Sequence, residues 1–192
     1  MRYFNDAQLI ELSAEFPRMT VLRDLGRGTA FPATADLPGG LQANDRFYRT
    51  DIGWLCYYDG TRWLTVHEYA ISSGLRTTVG AGTFVIGPLR QDYVSYFTRI
   101  TRLINTGATN TGANYWTITV LGANAAQSST SSIDVATTAA IAGSTWATND
   151  SAPSATALPA NNNGLDFSCV ATGAPSSLGS LVLTVYFRLV IT

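Results

Sequence analysis

From Asn44 to Trp63 the chain reads NDRFYRTDIGWLCYYDGTRW, with aromatic and apolar positions in three short runs divided by Asp51-Ile52-Gly53 and Asp59-Gly60. An Asp-Gly pair between such runs is a hairpin signal, because both central positions of a type I′ turn need positive φ. The pattern predicts a three-stranded meander: Arg46–Thr50, Trp54–Tyr58 and Arg62–Thr65. Phe47, Tyr48, Trp54, Tyr57, Tyr58 and Trp63 are more aromatic surface than so small a sheet can hide by itself. The rest of the chain, or another copy of it, must cover them.

Upstream, Leu9, Leu12 and Phe16 recur at helical spacing between a capping Asn5 or Asp6 and Pro17, which predicts a short helix over Asp6–Phe16. Thr20–Leu25 reads as a strand or extended arm. Gly26-Arg27-Gly28 and the Pro- and Gly-bearing segment Phe31–Gly40 read as loop or linker. Past His67 the period changes to two. Strands are expected at Arg76–Val79, Thr83–Ile86, Tyr93–Leu103, Asn114–Leu121, Ser132–Thr137, Leu165–Val170 and Leu181–Ile191. The last is the clearest, with Leu181, Leu183, Val185, Phe187, Leu189 and Ile191 all on one face. Its other face is half apolar, as in a central strand. Leu165, Phe167 and Cys169 form a second inward set, and Trp116, Ile118 and Val120 a third. The uncharged stretches Asn105–Ala113, Gly122–Ser131 and Thr148–Asn163 read as long loops. The expected fold is therefore mainly β: a short N-terminal helix, a three-stranded aromatic meander and a C-terminal antiparallel β-sandwich of jelly-roll type.

Composition narrows the function more than the fold. Charged residues make up 13% and the net charge is −1, so there is no electrostatic footprint for nucleic acid or an anionic membrane. All basic residues are arginine. Cys56 and Cys169 each alternate with apolar residues and read as small buried hydrophobes, neither a bridge nor a metal pair. The N-terminus has no apolar signal region and no run approaches membrane-spanning length. Synthesis without a secretory signal, and no membrane insertion, are the expectations.

Catalytic parts are few. His67 is the single histidine, and it lacks a nucleophile and partner in any familiar motif. Asp45, Asp51 and Asp59 sit at turns or strand starts, where carboxylates bond local backbone. Asp134, Asp150 and Asp166 have no calcium-loop spacing. No enzyme, cofactor or metal site is expected. Arg46, Arg49 and Arg62 interleave with the meander aromatics, which suits stacking and ion pairing within a fold or an interface. Sugar binding stays open through Tyr93, Tyr96, Tyr115, Trp116 and Trp146. Of these, Trp116 alternates with core residues, and Trp146, among Ser144, Thr145, Ala147 and Thr148, is the candidate ligand contact.

NDRFYRTDIGWLCYYDGTRWLT and the lead-in before it, Phe31 to Thr65, resemble a short module of tailed-bacteriophage virion proteins. That module starts G-D-R-F-[FY]-R-T-D and ends Y-D-G-T-R-W; here Asn44 stands at the usual first glycine. The β-domain ending in SLVLTVYFRLVIT resembles the C-terminal jelly rolls of phage fibres and spikes. The resemblance implies a virion surface protein, made in the host cytoplasm, that is a homotrimer attached to other virion proteins. Residues 1–30 would be the attaching helix and arm, 31–67 the linker and meander, and 68–192 the outward knob. Phe47, Tyr48, Trp54, Tyr57, Tyr58, Trp63, Arg46, Arg49 and Arg62 would then line the subunit interface. Capsid decoration and a non-catalytic carbohydrate-binding module are the alternatives, with host-surface glycan as a further partner.

Overall fold

The computed structural model describes residues 23–89, 92–106, 113–123, 129–138, 146–151, 157–158, 164–175 and 178–192. The expected helix Asp6–Phe16 and the start of Thr20–Leu25 lie outside the described residues. The chain divides into two compact units, Met1–His67 with Ile191–Thr192, and Glu68–Val190.

The first unit holds β1 (Asp24–Gly28), a single 3-10 turn at Thr34–Asp36, β2 (Arg46–Arg49), β3 (Trp54–Tyr58) and β4 (Trp63–Thr65). Strands β2, β3 and β4 form an antiparallel meander within a residue of the expected bounds. Two local features differ from the sequence reading. Gly26-Arg27-Gly28, read as loop, belongs to β1, which pairs parallel with β2 and shifts register between Asp24 and Arg27. Gly26 sits at φ +91 in that irregularity, so the glycine accommodates a bulge in an edge strand. The Asp59-Gly60 turn is also not type I′. Gly60 alone has positive φ there, at 101°, where type I′ needs two such residues. The Asp59 carboxylate supports it, accepting from the backbone N–H of Thr61 and of Arg62 at 2.8 Å each.

The second unit contains β5 (Tyr69–Ser72), β6 (Arg76–Val79), β7 (Gly82–Pro88), β8 (Val94–Thr106), β9 (Tyr115–Ala123), β10 (Ser129–Thr137), β11 (Trp146–Ser151), β12 (Ala157–Leu158), β13 (Gly164–Thr172) and β14 (Leu178–Ile191). They make an antiparallel β-sandwich of jelly-roll-like kind. One sheet is centred on β14 and β8, with β11 and β12 beyond β8 and β5 and β6 on the other flank of β14; the second sheet runs β10-β9-β13-β7. Strand β14 is thus central, and its burial alternates residue by residue from Leu181 to Ile191. Leu181, Leu183 and Val185 are wholly buried, as are Ile100, Ile118, Val120, Leu165 and Phe167 on β8, β9 and β13. Ring contacts knit the core, Phe97 meeting Phe187 edge-on at 6.3 Å and Phe84 stacking on Phe167 at 5.1 Å. The sheets approach so closely at Gly87 that a Cβ there would lie 2.8 Å from Ile71 Cδ1.

Three strands escaped the sequence reading. β5 is four residues long, too short for a period to show. β11 and β12 fall in or beside the expected loop Thr148–Asn163 and are defined by backbone pairing with β8, which leaves no apolar rhythm in WATNDS. Arg102 was also unforeseen: it lies at 0% exposure on the inward face of β8, between Ile100 and Ile104. Burial pushes the Cys56 and Cys169 thiols up to about 11 and about 12, and both are free cysteines.

Leu183→Ala should cost about 2–5 kcal/mol, the range for emptying a closed core site, whereas the half-buried neighbour Val182→Ala should cost about 1 kcal/mol or less. The midpoint of urea unfolding measures both, and equal shifts would contradict the inward assignment of Leu183.

Candidate assembly surface on the aromatic meander

Register sorts the meander side chains onto two faces. Phe47 opposes Cys56 and Cys56 opposes Thr65, while Arg49 opposes Trp54 and Tyr58 opposes Trp63. These residues share one face. Arg46 opposes Tyr57, Tyr48 opposes Leu55, and Tyr57 opposes Leu64, so these share the other.

The first face is covered from within the chain. Phe31, in the lead-in, stacks flat on Trp63 with centroids 4.4 Å apart and planes 1° from parallel, and meets Phe47 at 5.7 Å. Phe47 and Trp63 are consequently buried, at 5% and 7% exposure, and Tyr58 packs on Trp63 at 5.5 Å. Arg49 lies over the outer side of this cluster, its guanidinium 4.8 Å from the Phe31 ring centre. The same guanidinium donates to both carboxylate oxygens of Asp51 at 2.9 and 2.8 Å and to the carbonyl of Thr192 at 3.0 Å. Those Arg49 hydrogen bonds hold the Asp51 carboxyl below its usual range. Sequence reading placed Phe31 in a linker, because nothing local in FPATADLPGG reveals a ring partner thirty-odd residues away.

A second lock fixes the lead-in. Arg23 donates from Nε to Asp45 Oδ1 at 2.8 Å and from Nη2 to Oδ2 at 2.5 Å. It also donates to the carbonyls of Pro38 at 2.9 Å and Gly40 at 2.5 Å, and Asp45 accepts from the Gln42 N–H at 2.8 Å. One buried carboxylate therefore joins the start of β1, the Pro/Gly loop and the start of β2. Burial alone would raise the Asp45 pKa, but the Arg23 hydrogen bonds, the Gln42 N–H and the Arg23 charge together outweigh it and hold it below the ordinary value. Just before it, Asn44 adopts φ +75 and donates to the Tyr58 carbonyl at 2.7 Å. Asparagine is the side chain that best tolerates this region after glycine.

The second face keeps apolar surface in water. Tyr48 and Leu55, a directly opposed cross-strand pair, are each 39% exposed, flanked by half-buried Arg46 and Tyr57. Leu64 on this face is buried at 1%. Of the nine residues expected at a subunit interface, Phe47 and Trp63 are enclosed within the chain, Trp54 and Tyr58 are half-buried on the same face, Arg49 and Arg62 pair with Asp51 and Asp59, and Tyr48, Tyr57 and Arg46 lie on the open face. Leu55, outside that expected set, joins them on the open face opposite Tyr48. His67 is exposed, and its carbonyl accepts from Thr65 Oγ1 at 2.9 Å. Trp146 opens β11 opposite Asn105; its side chain lies outside the described set.

No known protein family's profile matches the chain, and no curated protein matches it. Among solved structures, it is similar to a chain of the acid-stable capsid of Helicobacter pylori bacteriophage KHP30, with TM-score 0.41, 11% identity, and coverage of 65% of this chain and 90% of that one. It is also similar to the VP2 subviral particle of infectious bursal disease virus, with TM-score 0.33, 11% identity, and coverage of 81% and 46%. The Gx strain of that virus gives TM-score 0.31, 11% identity, and coverage of 70% and 43%. The chain thus spans less than half the length of these two bursal-virus chains. Shape agreement at this level carries no argument about function.

Two outcomes test the geometry. Asn44→Gly should keep or slightly raise thermal stability, whereas Asn44→Val should lower it by about 1–2 kcal/mol, the cost of forcing a β-branched residue into the left-handed region; matching melting temperatures for the two variants would refute the assignment. Because the folded-state pKa of Asp45 lies below its unfolded value of about 3.9, its stabilising contribution is complete above that value and is lost as pH falls through the folded-state pKa. The melting temperature of Asp45→Asn should therefore fall less steeply than wild type below about pH 4.

Proposed function

We propose that the chain is a non-catalytic structural component of a tailed-phage virion, a homotrimeric surface fibre or knob attached through residues 1–30. The observation that carries this reading is the open face of the meander. Tyr48 and Leu55 stay exposed in a sheet whose opposite face is already packed by Phe31, Phe47 and Trp63. A small sheet so tightly locked inside has no reason of its own to leave a tyrosine–leucine pair in water, and an exposed apolar strip beside polar residues is the mark of a contact surface. The Phe31–Thr65 resemblance to a phage virion module adds the partner: two further copies of this chain around a closed axis. Tyr48, Tyr57, Leu55 and Arg46 make the contact. Phe47 and Trp63 stabilise the sheet from behind.

In this reading the unit from Glu68 faces outward and meets the host surface, where glycan is its partner. Low charge and polar uncharged loops suit a part that is displayed and must not bind at random.

Light scattering on the purified chain should report three times its 20.5 kDa mass. Tyr48→Asp combined with Leu55→Asp should convert it to monomer without changing its far-ultraviolet circular dichroism, since both side chains lie on the open face. A wild-type monomer across the micromolar range would overturn the trimer, as would a double variant that still assembles.

A further inference from the structure

The outer face of the β5–β14–β8 sheet carries a second arrangement of side chains, apart from the meander. Between Tyr186 and Phe187 the register of β14 on β8 slips, Tyr186 opposing Arg99 and Phe187 opposing Phe97. Thr98 is the extra residue. Such a bulge turns successive side chains toward one face and is a common way to aim them. Both Thr98 and Arg99 here make contacts on the outer side. The Arg99 guanidinium lies 4.1 Å above the Tyr186 ring, and Thr98 Oγ1 donates to Glu68 Oε1 at 2.7 Å. Glu68 Oε1 in turn lies 3.9 Å from Arg188 Nη2.

Cross-strand register arranges this face as rows over three strands. Ala70, Tyr186 and Arg99 form one row; Ser72, Thr184 and Thr101 form the next. Ser72 and Thr184 hydroxyl oxygens are 3.3 Å apart. Ala70, Ser72 and Arg99 are exposed, and Tyr186, Thr184 and Thr101 are half-buried. Ala70 and Ser72 put small side chains beside Tyr186 and Thr184. An arginine braced on a ring, an aromatic edge, and a row of hydroxyls are the parts that recognise a sugar bearing a negative charge. The guanidinium takes the carboxylate in a fork of parallel N–H donors, while hydroxyls exchange hydrogen bonds with the ring substituents.

We propose that this face is a binding site for a carboxylate-bearing saccharide, with Arg99 holding the acid group, Tyr186 bracing Arg99, and Ser72, Thr101 and Thr184 reading ring hydroxyls. The inference rests on the glycan part of the functional reading but not on the trimer. The test is calorimetric titration of the full chain with 3′-sialyllactose, with lactose as the neutral counterpart and inorganic phosphate as the bare anion. Sialyllactose should bind at least tenfold more tightly than lactose, and Arg99→Gln should remove at least tenfold of its affinity with the melting temperature unchanged. Thr101→Val should weaken binding several-fold and serves where Arg99→Gln fails to fold. Equal binding of lactose and sialyllactose, phosphate binding as tight as sialyllactose, or full affinity in a folded Arg99→Gln would each overturn the site. A trimer that ignores sialyllactose sinks this inference alone, and a monomer that binds it sinks the trimer alone.

Discussion

A single strand cannot choose which side chains to bury independently; alternation forces the choice, and β14 shows how far that constraint reaches. Once Leu181, Leu183, Val185, Phe187 and Leu189 turn inward, the intervening Val182, Thr184, Tyr186 and Arg188 must occupy the outer face. A slip of one residue would exchange the two sets entirely. Pairing with β8 on one side and with β5 and β6 on the other then follows from this register. The outer face, with its tyrosine and arginine, is the obligatory complement of the core. Candidate binding chemistry and core packing are two readings of one periodic sequence.

The meander reaches a similar end by another route. Its sheet is too small for alternation alone to stabilise it, so the chain folds its own lead-in over one face. Phe31 supplies the ring, and the Arg23–Asp45 pair supplies the tie. A buried carboxylate is costly unless its oxygens are satisfied, and here both accept from Arg23 while one also accepts from Gln42. The pair is therefore less a source of net stability than a device that permits one loop path.

Legibility in the sequence followed the range of the interactions. Strands with one buried face, such as β9, β13 and β14, announced themselves because Trp116, Phe167 and Leu183 recur at period two among polar neighbours. The meander was visible because aromatic runs and turn residues lie side by side. What escaped depends on partners distant in sequence. β11 exists by pairing to β8, the Phe31–Trp63 stack spans a proline-rich segment, and the bulge at Thr98 arises only against Tyr186. The turn at Gly60 has the Asp-Gly letters of type I′ with only one positive φ, a difference composition could not reveal. The two-faced division of the meander aromatics was within reach. Register from the predicted turns would have put Tyr48 and Tyr57 opposite in sense to Phe47 and Trp63.

The parallel pairing of β1 with β2 also has a mechanical meaning. Its backbone bonds, Arg46 N–H to the Arg23 carbonyl at 2.8 Å and Thr50 N–H to the Gly28 carbonyl at 2.9 Å, lie across the strand axis. Tension applied at the N-terminal end of β1 would pull along that axis and load these bonds together in shear, unlike a hairpin peeled from its open end, whose bonds fail one after another. Arg23 stands just before β1, and its guanidinium bonds to Pro38, Gly40 and Asp45 would spread such a load over three further points.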